Sequence, residues 1–111
     1  MFGNYSFKNV DVDFLNGQDT QSAGKEAIHL IDIRSEAEIS RGAIGGAQHI
    51  PMHLLPLRIQ DIPKDKPVVL YCHSGARSAQ ACAWLSSQGF ENMHNLSGGI
   101  LAWARAGMPI V

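Results

Sequence analysis

The chain has 111 residues, 45% hydrophobic and 17% charged, which is enough apolar material for one core and too little charge for a disordered tail. Nine Lys and Arg against ten Asp and Glu give a net charge of −1, without the basic surplus of a nucleic-acid-binding surface. No apolar run approaches the ~20 residues of a membrane-spanning helix, and two cysteines make no disulfide framework. The N-terminus Met1-Phe2-Gly3-Asn4-Tyr5 lacks a basic region followed by an apolar stretch, so no secretory signal is expected. The expectation is one soluble cytoplasmic domain over residues 1–111, with neither nucleic acid nor membrane as partner.

In chain order, Phe7 to Val10 is predicted as an edge strand, and the polar, aperiodic stretch from Asn16 to Gly24 as a loop. Ile28-His29-Leu30-Ile31-Asp32-Ile33 reads as a strand buried on both faces. Ser35-Glu36-Ala37-Glu38 fits a capping box, opening a short helix that ends near Gly42. Ala47 to Ile50, closed by Pro51, is a third strand, and Met52 to Ile59 a helix disturbed by Pro56. Val68 to Tyr71 is apolar throughout and is the second fully buried strand. Ser78 to Gln88 carries Ala79, Cys82, Ala83 and Leu85 at helical spacing before Gly89. Asn92 to Leu96 is a further strand, and a last helix starts at Ile100 after Gly98-Gly99. Strands alternating with helices predict an α/β sandwich.

In such folds ligands collect beyond the carboxyl ends of the strands. Past the two best strands stand Asp32-Ile33-Arg34 and Cys72-His73-Ser74-Gly75-Ala76-Arg77-Ser78. The second segment places a cysteine where a strand turns into a helix. Successive backbone N–H groups converge in such a turn, the helix N-terminus adds positive potential, and Gly75 permits the tight backbone. An anion on Cys72 would be held there. A free thiol with a pKa of about 8.5 is roughly 3% thiolate at pH 7. Lowering it to about 6.5 raises that to roughly 75%, for about 2.7 kcal/mol of differential stabilisation.

The other candidates divide. Cys82 falls on the apolar helix face, about 9 Å along the axis from the loop, and reads as core. Asp32 reads as a carboxylate bracing Arg34, Arg77 or nearby amides, while Arg34 is open between substrate contact and a structural ion pair. A Cys72–His73 dyad is disfavoured because adjacent side chains point apart. His49 and His53 with Cys72 would make only an improvised zinc site, because Pro51 interrupts helical spacing between the histidines. Neither metal nor cofactor is expected. Trp84 and Trp103 read as core.

The chain resembles a single-domain rhodanese. The matching residues are Leu30 to Arg34, Gly42 to Ala47 with Ile50-Pro51, Val68 to Ser78, Trp84-Leu85, Gly89-Phe90, and Leu96-Ser97-Gly98-Gly99-Ile100 through Trp103 to Pro109. It departs from the pattern at Ile39, Ala43 and Gly45, where the family often has an aromatic, His and Pro. The resemblance implies a three-layer sandwich with a mostly parallel central sheet flanked by helices on both faces. It also implies a sulfurtransferase in which Cys72 takes the outer sulfur of a donor such as thiosulfate. The resulting persulfide, cradled by His73, Ser74, Gly75, Ala76, Arg77 and Ser78, passes sulfur to cyanide or a thiol. Arg34 would bind the anionic donor or shape the site, and Arg77 would add positive potential or brace the loop. Donor and acceptor could be small molecules or proteins. A cysteine phosphatase or arsenate reductase is the rival enzyme, with five residues between Cys and Arg where this chain has four. A sulfur carrier or protein-interaction module with little small-molecule turnover is the other alternative.

Overall fold

The computed structural model describes residues 6–18 and 27–111. Five strands, β1 (Lys8–Val10), β2 (His29–Asp32), β3 (Gln48–His49), β4 (Val68–Tyr71) and β5 (Met93–Leu96), form one sheet in the order β1-β5-β4-β2-β3. Every pairing is parallel. The two strands read as buried on both faces, β2 and β4, pair with each other next to the middle of the sheet, and β1 takes the edge position expected of it.

Alternation along the strands builds two cores. Ile31, Ile33, Val68, Leu70, Cys72 and Met93 face one side, against Ala81, Cys82 and Leu85 of helix α3 (Ala76–Ser87) and Leu55. Leu30, Val69, Tyr71 and Leu96 face the other. There they pack on Val12 and Leu15 of α1 (Val12–Asn16) and Ile100 and Trp103 of α4 (Gly99–Arg105). Helices on both faces of a parallel sheet give the expected three layers.

The capping box is present: Ser35 Oγ accepts from the Glu38 N–H at 3.2 Å, and the Glu38 carboxylate accepts from the Ser35 N–H at 3.1 Å, opening α2 (Glu36–Ile39). Three elements differ from the sequence reading. Helix α3 begins at Ala76 rather than Ser78, because Gly75 turns the chain in a left-handed conformation (φ 99°) straight into helix. Residues 52–61 form a 3-10 helix, Met52–Asp61, interrupted at Arg58, in place of an α-helix. Helix α1 was not predicted; Asp11 caps it through the Phe14 N–H at 2.9 Å, and Val12 and Leu15 are its buried residues. The expected loop over Asn16 to Gly24 mostly lies outside the described residues, and Asn16 is the last residue of α1. Among the described residues no helix is long and apolar enough to cross a membrane.

Candidate active site

Cys72 follows directly on β4, at the carboxyl end of the sheet, and is 1% exposed. The neighbouring loop is arranged with carbonyls outward and N–H groups inward. Ile100 N–H donates to the Cys72 carbonyl at 3.0 Å and Leu101 N–H to the His73 carbonyl at 3.1 Å, so the first turn of α4 holds the loop from outside. That approach depends on Gly99, where a Cβ would lie 2.5 Å from both carbonyl oxygens. The sequence marked Gly98-Gly99 only as the start of a helix; it is also the clamp of the cysteine loop.

With the carbonyls engaged, the amides turn on the sulfur. Gly75 N–H donates to Cys72 Sγ at 3.1 Å, and Ser78 Oγ lies 3.4 Å from it. Burial pushes the thiol pKa up. The Ser78 hydroxyl and the N–H groups of Ser78, Gly75 and Ser74 outweigh burial, and the net direction is down. Ala76, Arg77 and Ser78 form the first turn of α3 rather than a loop, and of these three Ser78 places its hydroxyl at the sulfur. His73 is exposed, and among the described residues its ring is not one of the partners of Sγ.

Asp32 and Arg34 form a buried pair, 2.7 Å from Nη2 to Oδ2, with Nε also on the carboxylate. Asp32 accepts from the Arg34 N–H as well, and the guanidinium reaches the carbonyls of Gly42 at 2.7 Å and Glu38 at 3.4 Å. Arg34, 4% exposed and stacked over the Tyr71 ring, is thus placed as a tie between the end of β2 and the segment after α2. Of the two roles the sequence left open for it, the ion pair is present, and Arg34 also lines a cleft beside the cysteine loop. Arg77 is bound to Glu38, with both guanidinium Nη atoms on the carboxylate at 2.8 and 2.7 Å, and is near enough to Cys72 to interact with it by charge. Glu38 was missed as a site residue. Its capping role was visible, but a partner 39 residues away leaves no local signal. The Arg77 guanidinium holds its carboxyl at about 2.

Cys82 is fully buried, its Sγ against the His94 carbonyl at 3.4 Å, and burial pushes its thiol up to about 12. Among the described residues no group of three or more His, Cys, Asp or Glu side chains could hold a metal. A cleft of about 250 Å³ borders the loop, with His73, Arg41, Leu101 and Ile110 in its wall.

Comparison with known proteins settles the family. Residues 18–106 match the rhodanese-like domain. The chain belongs to the rhodanese-like family. A sulfurtransferase of Allochromatium vinosum is 57% identical to this rhodanese-like chain over 89 residues, 80% of this chain and 83% of the relative. The thiosulfate sulfurtransferase GlpE of Vibrio cholerae is 32% identical over 104 residues, 94% of each. Among solved structures, a rhodanese-related protein of Thermoplasma volcanium superposes with a TM-score of 0.82 at 28% identity, covering 95% of this chain and 98% of the other. The rhodanese-like fold read from the sequence is therefore the fold observed.

Proposed function

We propose that this protein is a sulfurtransferase that carries sulfane sulfur as a persulfide on Cys72. The observation that carries the proposal is the placing of the Gly75 N–H, at 3.1 Å, and the Ser78 hydroxyl, at 3.4 Å, around one buried sulfur atom. The Cys72 thiolate attacks the outer sulfur of thiosulfate, the sulfur–sulfur bond of the donor breaks, and sulfite leaves with its electron pair. The persulfide anion Cys–S–S⁻ remains. An acceptor such as cyanide then attacks the terminal sulfur, thiocyanate leaves, and the thiolate returns. Negative charge is carried on Sγ or on the sulfur bonded to it at each stage, beside donors already in place to stabilise it. No step requires a metal or cofactor. The named relatives support sulfur transfer as the reaction class; a protein donor or acceptor would use the same steps.

Two features of the site favour sulfur over phosphate transfer. Four residues separate Cys72 from Arg77, a small cradle, and both Nη atoms of the Arg77 guanidinium are engaged by the Glu38 carboxylate. The reduced protein, assayed side by side with thiosulfate plus cyanide and with an aryl phosphate, should form thiocyanate and release no phosphate. Phosphate release without thiocyanate would replace this proposal with the phosphatase reading.

A further inference from the structure

Asn95 lies on the β5 face that packs on α3, next to the cysteine loop, and is 4% exposed. Its amide orientation is determined by its neighbours. Nδ2 donates to the Gly75 carbonyl at 3.3 Å, which can only accept, and to Asn9 Oδ1 at 3.1 Å. Oδ1 therefore faces Ser78 Oγ, 2.5 Å away. Ser78 is fully buried, and its oxygen stands between Asn95 Oδ1 and Cys72 Sγ with one proton to give.

We infer that Asn95 is a positioning residue that competes with Cys72 for the hydroxyl proton of Ser78, and so sets how readily the sulfur carries negative charge. The inference rests on Cys72 as the working nucleophile. In the thiol form every group is satisfied: Cys72 S–H donates to Ser78 Oγ, and Ser78 O–H donates to Asn95 Oδ1. Asn95 Oδ1 can only accept and lies 2.5 Å from Ser78 Oγ, so it takes the proton in the thiol form, while the sulfur at 3.4 Å is also within reach of the same hydroxyl. Once Cys72 is ionised, the sulfur has no proton to offer. Ser78 then either keeps Asn95 and turns lone pairs toward an anion, or turns to the sulfur and leaves Asn95 Oδ1 buried without a donor. Both options cost free energy. The backbone amides favour the charged sulfur, and Asn95 opposes it through Ser78.

Among the described residues, Arg77 and Cys82, both on α3, interact with Cys72 by charge. Arg77 is held by Glu38, Cys82 stays protonated over the working range, and Asp32 and Arg34 at the end of β2 are paired with each other. None of these depends on Asn95. Asn95→Leu keeps the branched shape, removes both polar ends, and leaves Asn9, which is exposed, to water.

The test is the ultraviolet absorbance of the thiolate in the reduced full chain, followed against pH. Asn95→Leu should lower the titration midpoint by about one pH unit, because Ser78 is released to the sulfur. Ser78→Ala should raise it. In the Ser78→Ala background, Asn95→Leu should leave it unmoved, an epistasis that loss of packing would not produce. Asn95→Ala, read in the same way, replaces the leucine variant where that fails to fold. A midpoint that rises or stays put, or one that shifts equally in both backgrounds, overturns the inference. The readout needs no sulfur donor, so a chain that shows these shifts yet transfers no sulfur overturns the function alone.

Discussion

The two cysteines of this chain are ten residues apart, equally buried at 1% and 0% exposure, and face the same core. Their thiols are driven in opposite directions. Cys82, inside α3, sits in apolar packing against the His94 carbonyl, and burial, with the nearby Cys72, raises it to about 12. Cys72, one turn before the helix, meets the same burial together with donors from Ser74, Gly75 and Ser78, and is lowered. Burial therefore does not make a cysteine inert. What decides is whether the backbone around the sulfur presents N–H groups or carbonyls. At Cys82 the polar neighbour is a carbonyl, while at Cys72 the carbonyls have been drawn outward by α4.

The strongest way to break that contrast is to loosen the clamp. Gly99→Ala places a methyl group 2.5 Å from the Cys72 and His73 carbonyl oxygens, so the first turn of α4 must withdraw. We expect a stability loss of about 2–4 kcal/mol by denaturant titration, with a higher Cys72 titration midpoint. Gly107→Ala is the control, since it shares positive φ but a Cβ there meets nothing within 4 Å. It should cost about 1 kcal/mol and leave Cys72 unchanged. Equal effects from the two substitutions would show that the α4 contact does not shape the site.

Cys82→Ser sharpens the comparison from the other side. Burying a hydroxyl in place of a thiol should cost about 1–2 kcal/mol in thermal or chemical unfolding. Its hydroxyl can still donate to the His94 carbonyl, and sulfur transfer should persist. Transfer abolished in a folded Cys82→Ser protein would contradict the assignment of Cys82 to packing.

The smallest effect belongs to the Glu38–Arg77 pair, whose side chains are 26% and 41% exposed. Glu38 has a folded pKa depressed from 4.5 to about 2. Its contribution is fully present above the unfolded value and is lost as pH falls from 4.5 through 2. Exposure limits the pair to about 1 kcal/mol or less. Glu38→Gln should lose up to that amount near neutrality, flatten the acid limb in that window, and converge on the wild-type stability below it. An unaltered acid limb would count against the pair.

Legibility in the sequence followed the range of the physical signal. Val68 to Tyr71 and the Ser35–Glu38 capping box are local patterns of burial and hydrogen bonding, and both appear where expected. The strand–cysteine–Gly75 order likewise located the turn, because only backbone geometry was needed. Helix α1 has a cap signal in Asp11, but its five residues carry too little periodicity to mark a helix. The apolar pattern of α3 starts two residues after the helix does, because the left-handed Gly75 makes Ala76 and Arg77 helical without any apolar pattern of their own. The pairing of Arg77 with Glu38, and of Ser78 with Asn95, joins residues 39 and 17 positions apart. Such pairs exist only once the sheet order brings the carboxyl ends of β2, β4 and β5 together. For the same reason the sequence could not divide Arg34 between its two roles.

The most direct measurement is the intact mass of the reduced protein after thiosulfate treatment and removal of free donor, followed by mapping of the modified residue. The wild-type chain and Cys82→Ser should each gain one sulfur, about 32 Da, mapped to Cys72 in both, and Cys72→Ser should gain none. A wild-type chain without added sulfur, or sulfur carried on Cys82, would contradict the account.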